Sequence, residues 1–276
     1  MTVSNFSFTF LGTGTSAGVP VITCDCDVCT SSDPKDTRLR CSVCVRFTDE
    51  GGQERVILID ASPDLRQQVL KEKLTRCDAI LFTHNHVDHT FGLDDTRMFN
   101  VSMQQPLDIY AERHTLDHLA RVFQHVFESH KNVNDSFVAN LIPHELTVGQ
   151  PVNLFGVVFT PIRLLHGRLP IVGFRIEGSG SIAGSTASPT IAYCTDVSSI
   201  PPESWPKLEN LDVLVLDMLR FRHHPTHLNL DQALEIAHQV GAKQTYFTHM
   251  THCVSHAKTD AELPENTHLA HDGLRL

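Results

Sequence analysis

Four side chains able to bind a metal ion fall within six residues in Thr83-His-Asn-His-Val-Asp-His89, namely His84, His86, Asp88 and His89. They follow directly on the apolar run Ala79 to Phe82, which reads as a buried strand. Histidines two apart in an extended segment face the same way, and a turn after them brings Asp88 and His89 round to a second centre. One loop can therefore serve two metals. Three imidazoles and a carboxylate gathered without a Lys or Arg partner repel one another when protonated, and a divalent cation removes that cost.

Something must hold that loop, and the rest of the chain supplies strands. Apolar runs recur at Phe6 to Leu11, Val43 to Phe47, Val56 to Ile59, Val157 to Ile162, Val172 to Ile176, Thr190 to Tyr193, Val213 to Leu216 and Thr245 to Thr248. Helical spacing occurs where Leu116, Leu119, Ala120, Phe123 and Phe127 share a face, and where Leu230, Ala233, Leu234 and Ala237 do so before Gly241. Pro63 suits the first turn of a further helix reaching Leu70. The Gly/Ser-rich stretch from Gly178 to Pro189 reads as a hairpin tip. Strands followed only in part by helices predict an α+β chain, with sheets covered by helices and function in the loops at strand ends. No internal repeat and no linker between two cores is visible, so residues 1–276 are expected to form one domain.

The motif T-H-x-H-x-D-H, standing here as Thr83 to His89, resembles the signature of the metallo-β-lactamase superfamily. The resemblance extends to His166 in Leu164-Leu-His-Gly167, Asp196 in Tyr193-Cys-Thr-Asp196 and His249 in Phe247-Thr-His249. It implies a four-layer αβ/βα fold, two mixed β-sheets sandwiched between helices. It also implies two active-site cations, one on His84, His86 and His166 and the other on Asp88, His89 and His249, with Asp196 bridging both. An Asp at the bridging position resembles the phosphodiesterase and thioesterase branches, and a hard oxygen ligand admits Mn²⁺ as well as Zn²⁺.

A second concentration of ligands lies in Cys24-Asp-Cys-Asp-Val-Cys29, within a cysteine-rich stretch at about 23–44. Three thiolates within six residues can wrap one structural Zn²⁺, and His252, three residues after His249, is chosen as the fourth ligand. Cys41 and Cys44 form another C-x-x-C. On a strand, residues three apart point to opposite faces, so these two are expected to be core residues, as are Cys77, Cys194 and Cys253. The G-T-G-T-S-x-G-V-P opening from Gly12 to Pro20, the C-x-C-x-x-C loop and the T-H-x-x-H ending together resemble the phosphoribosyl cyclic phosphate phosphodiesterases of the carbon-phosphorus lyase pathway. That resemblance implies hydrolysis of a small cyclic nucleotide- or sugar-phosphate diester by a hydroxide bridging the two cations. Asp88 would help orient the hydroxide, and His227 would protonate the leaving alkoxide as general acid. Imidazole exchanges protons readily at neutral pH, which suits that task. Arg222, His223 and His224, with Arg220, make a local cationic strip able to grip a phosphate.

Eight cysteines, five of them between Cys24 and Cys44, in a chain of 276 residues read as metal ligands and core residues rather than disulfide staples. A formal charge of −10 argues against a protein that holds long nucleic acid by phosphate neutralisation, while leaving small phosphorylated substrates open. No run of about 18 apolar residues appears and the N-terminus alternates as a strand, so a cytoplasmic chain with no membrane partner is expected. The apolar helix from Leu116 to Phe127 is a candidate homodimer surface. Alternatives of the same fold are a ribonuclease Z-like tRNA-processing endonuclease, a non-catalytic pyrroloquinoline quinone pathway protein and a glyoxalase II-like thioesterase. The acidic charge, the full ligand set and the absence of recognisable glutathione-binding helices weigh against them in turn.

Overall fold

The computed structural model describes residues 3–134, 136–178 and 190–276. They build two mixed sheets. The first runs in spatial order β1 (Ser4–Gly12), β2 (Ser42–Thr48), β3 (Glu54–Ile59), β4 (Ala79–Leu81), β5 (Leu107–Ala111) and β6 (Leu141–Glu145). The second contains β7 (Val152–Leu154), β8 (Val157–His166), β9 (Leu169–Gly178), β10 (Thr190–Cys194), β11 (Val213–Asp217), β12 (Gln244–Thr248) and β13 (Thr267–Leu269), again in chain order. Each sheet begins as an antiparallel meander and ends as a parallel array, from β3 onward in the first and from β10 onward in the second.

Alternation along the strands decides what each face buries. In β2, Val43, Val45 and Phe47 point inward with Phe8, Phe10, Ile57 and Leu81, and meet Phe159, Phe174, Tyr193 and Val215 of the second sheet. The intervening residues, such as Cys44, face outward with Leu58 and Ile80 under a helical layer that contributes Leu65, Phe99 and Leu119. On the far side, Ala192, Leu214 and Phe247 pack under Ala233 and Ala237. Helix, sheet, sheet and helix make the four layers that the resemblance implies.

The helices are α1 (Leu65–Glu72), α2 (Val87–Thr90), α3 (Arg97–Met103), α4 (Arg113–Val122), α5 (Gln124–Phe127), α6 (Leu230–Val240) and α7 (His256–Asp260). Pro63 stands ahead of α1 rather than in its first turn, because the Asp64 carboxylate is engaged by the Arg40 amide at 2.9 Å and guanidinium at 2.8 Å, and the helix begins after it. The expected helix over Leu116 to Phe127 starts earlier and breaks at Phe123, where φ −102° and ψ 43° interrupt it. Leu119 and Phe123 of its apolar face are buried against the first sheet. Strands β5, β6, β7 and β13 carry weaker patterns than those read from sequence. The hairpin tip expected after Gly178 lies outside the described residues. No helix of the described residues is long and apolar enough to cross a membrane.

Candidate metal centres

The His/Asp residues lie where strands end. Beyond β4 come His84 and His86, then Asp88 and His89 on α2; His166 closes β8, Asp196 follows β10 and His249 follows β12. Strand β4 of the first sheet and the alternate strands β8, β10 and β12 of the second deliver side chains to one rim of the sandwich, where loops are free to carry polar groups. Asp196 and His249 adopt φ 59° and 64°, left-handed values that turn the chain out of the strand direction at once. Such conformations cost roughly 1–3 kcal/mol each and persist where the surroundings impose them.

Two groups of four result. His84, His86, His166 and Asp196 offer ligand atoms within 4.8 Å of one another, and so do Asp88, His89, Asp196 and His249. Asp196 belongs to both: its Oδ1 lies 3.2 Å from His89 Nε2, and its Oδ2 lies 3.2 Å from His249 Nε2 and 3.8 Å from His84 Nε2. Asp88 Oδ2 stands 3.4 Å from His89 Nε2 and 3.6 Å from that of His249.

A further ring of polar groups fixes which nitrogen faces the centre. The Asp60 carboxylate accepts from His89 Nδ1 at 2.7 Å and from the amide and hydroxyl of Thr83 at 2.8 Å each. With its proton given to Asp60, the Thr83 oxygen accepts from His84 Nδ1 at 2.9 Å. His166 Nδ1 donates to the Thr226 carbonyl at 2.7 Å. Each of these rings is thereby left with Nε2 for the interior, the usual arrangement around a metal. The Nε2 atoms of His84, His89 and His249 are buried without a hydrogen-bond partner. Orphaned imidazole nitrogens converging on shared carboxylates fit divalent cations.

The electrostatics agree. Burial pushes His84, His86 and His166 below the usual imidazole range, into the neutral form that ligates. Burial opposes charge on Asp196 and Asp88, but the histidines beside them hold both carboxyls well below the ordinary range. Burial likewise opposes a proton on His89, yet Asp196, Asp88 and Asp60 outweigh it and raise its pKa. A proton and a divalent cation answer the same surplus of negative charge, and they compete for it.

Beside these groups stands His227, buried, its ring 4.8 Å from that of His249 and 4.5 Å from that of His166. Its Nδ1 donates to Asp217 Oδ2 at 3.1 Å, and the Leu228 amide reaches the same oxygen at 3.2 Å. This leaves Nε2 as the free end of the ring. Asp217, His227 and His249 also form a group with ligand atoms within 4.8 Å. On the expected cationic strip, Arg222 and His223 are exposed and His224 is half-buried, while Arg220 spends Nε and Nη2 on the carbonyls of Arg222 and His223.

The cysteine loop makes a separate group. Sγ of Cys24, Cys26 and Cys29 lie 3.2, 3.5 and 3.5 Å from His252 Nδ1, the fourth ligand chosen from sequence. A backbone hydrogen bond at Cys29 draws the Cys26 thiol down to about 6, whereas burial drives Cys29 up to about 11. Cys41 and Cys44 lie elsewhere: Cys41 against the Thr248 hydroxyl at 3.4 Å, and Cys44 in the outer core, where burial raises its thiol to about 12. Cys253 is exposed rather than in the core, because it sits on the turn that carries His252.

Asp60 and Asp217 escape the sequence reading. Each closes an apolar run, Val56 to Ile59 and Val213 to Leu216, and that placement at a strand end is the signal that could have found them.

Residues 55–250 match the family model described as a β-lactamase superfamily domain. This chain belongs to the metallo-β-lactamase superfamily and has the fold of its hydrolases. Within it the chain is similar to the PhnP family: the crystal structure of a new diphosphatase from that family superposes with TM-score 0.86 at 40% identity, covering 99% of this chain and 97% of that one. An octanoyltransferase of Porphyromonas gingivalis (strain ATCC BAA-308 / W83) is 35% identical over 269 residues, 96% of this chain and 50% of that protein, so the chain spans about half the length of that relative. A coenzyme PQQ synthesis protein B of Methylobacterium sp. (strain 4-46) is 26% identical over 75% of this chain and 71% of that protein.

Proposed function

We propose that this chain is a dinuclear metallohydrolase that cleaves a phosphodiester in a small phosphorylated molecule. The observation that carries the reading is the pair of His/carboxylate groups sharing Asp196, with the His227–Asp217 pair alongside. His84, His86 and His166 would hold one cation, Asp88, His89 and His249 the other, and Asp196 both. Cys24, Cys26, Cys29 and His252 would hold a structural Zn²⁺. The two active-site cations, Zn²⁺ or Mn²⁺, supply Lewis acidity and a water acidic enough to attack at neutral pH.

The chain's own residues do the rest. Asp60 and Thr83 keep His89 and His84 in the tautomer that presents Nε2. Asp88 would orient the attacking water by accepting a hydrogen bond from it, its own carboxyl staying ionised. Asp217 fixes His227 Nδ1 as a donor, so that Nε2 can carry a proton towards a departing alkoxide. Arg222, His223 and His224 flank His227 along the chain and would take a second anionic group of the substrate. The diphosphatase named above favours a phosphoric anhydride as the second substrate class.

The test is a panel on purified protein, exhaustively chelated and then reloaded with Mn²⁺ or Zn²⁺: bis-p-nitrophenyl phosphate, a ribose cyclic phosphate, a nucleoside diphosphate derivative, pre-tRNA and a thioester. Turnover of the cyclic phosphate that vanishes on chelation and returns with metal is expected. Full activity after chelation, or activity on the thioester alone, overturns the reading.

A further inference from the structure

The turn that carries both His249 and His252 is gripped from within by one arginine. The side chain of Arg38 is completely covered. Its Nη1 donates to the Thr251 carbonyl at 3.1 Å and its Nη2 to the Val254 carbonyl at 2.7 Å. Nη2 also reaches Asp36 Oδ1 at 3.3 Å, and that same oxygen accepts the His256 amide at 2.7 Å. A buried ion pair thus seizes the backbone of residues 251–256 at three points.

Arg38 also stands where three segments meet. Its own amide and carbonyl pair with Val19, at 2.8 and 2.9 Å, just before the cysteine loop. Next to it, Gly14 donates to the Leu39 carbonyl, and Met250 accepts from the Thr15 amide and donates to the Thr13 carbonyl. A Cβ on Gly14 would lie 2.8 Å from the Arg38 carbonyl and 2.9 Å from its Cβ, so the approach admits only glycine. Burying a guanidinium is expensive, and an apolar side chain of similar size would fill the space more cheaply. What arginine adds is direction, because its donors lie in one rigid plane and fix two carbonyls relative to each other.

We propose that Arg38 is a positioning residue that divides the ligands of one short turn between two centres, directing His249 to the Asp196 groups and His252 to the thiolates. The inference rests on the reading of both clusters as metal sites. It goes beyond that reading by making a residue that touches neither metal a determinant of both.

The two centres can be read separately without an activity assay. Cobalt(II) bound by thiolates gives a charge-transfer absorption that reports the cysteine centre, and Mn²⁺, which thiolates do not favour, reports the His/Asp groups through its paramagnetic resonance. Arg38→Met is expected to weaken both affinities by about tenfold, the lower end of what the loss of an outer partner of a ligand costs, because Arg38 acts on His249 and His252 through the backbone beside them. Cys26→Ser should weaken the cobalt signal alone. Leu208→Ala, which removes a buried side chain elsewhere, serves as a control for lost stability and should leave both affinities at wild-type values. Arg38→Lys, retaining the charge and part of the donor set, should recover part of the loss, and it carries the test if Arg38→Met does not fold. Wild-type affinities at both centres in the variant that folds, or losses equal to those of Leu208→Ala, overturn the proposal. Wild-type protein that binds neither ion would instead remove the underlying metal reading.

Discussion

A leaving alkoxide needs a proton far more than a phenolate does, so the contribution of His227 depends on the substrate. Replacing it by alanine is expected to slow an alkyl phosphodiester by roughly 10²-fold or more and a p-nitrophenyl diester much less. Equal losses on the two, measured as kcat, would take the proton-donor role away from His227. Asp60 acts on the other side of the site, through His89. Asp60→Asn keeps the shape but removes the charge that the His89 ring and the Thr83 hydroxyl both address. Metal affinity should fall about 10- to 100-fold, read by competition with a chromophoric chelator, and an unchanged affinity would mean that Asp60 only packs. His84, His86, Asp88 and His89 are legible in the sequence because all lie on one short segment after an apolar run. Asp60 and Asp217 are less so, since their place at a strand end marks them as candidates while the histidine that gives each its role is supplied by folding.

Helix α6 begins at Leu230, three residues after His227. Asn229 caps the helix, accepting the Gln232 amide at 3.0 Å while the Gln232 side chain accepts the Asn229 amide at 3.2 Å. Asn229→Ala should cost roughly 1 kcal/mol in urea unfolding, with no loss if the cap is redundant. At the other end of the chain, the tail is latched by Asp272, which accepts from the Thr13 hydroxyl and the Leu39 amide at 2.8 Å each. Burial raises its pKa to about 6 from the usual 3.8. A raised carboxyl favours the protonated folded state, so between about pH 4 and 6 the unfolded chain ionises first and stability attributable to this group falls as pH rises. Asp272→Asn imitates the protonated form, and its stability relative to wild type should therefore climb across that window in paired denaturation curves. A constant difference would show the carboxyl is not perturbed. Strong alternation makes β1, β2 and the central strands readable. Short β7 and β13 are not, because neither lies in an apolar run as three-residue β4 does, and the break at Phe123 coincides with no Gly or Pro.

Taken whole, the molecule holds its proposed centres by different means. Cys26→Ser should remove one zinc, measured by elemental analysis, and lower thermal stability, while any folded protein keeps the chemistry of the His/Asp groups. Retention of three ions would end the assignment of a structural site. With a formal charge of −10, the chain would meet a phosphorylated substrate of the proposed kind through local cations rather than through its overall field. What the sequence determines by itself is set by backbone geometry over short spans: the strand period that makes an α+β chain of sheets covered by helices, the ligand spacing of Thr83 to His89, and the wrap of Cys24 to Cys29. Only the tertiary structure decides which distant groups meet. Cys24 and His252 are 228 positions apart, His89 and Asp60 are 29, and Arg38 reaches carbonyls more than 200 residues on. Those meetings follow from strand order and register, which are fixed by the burial of two whole sheet faces at once and by no local run of residues.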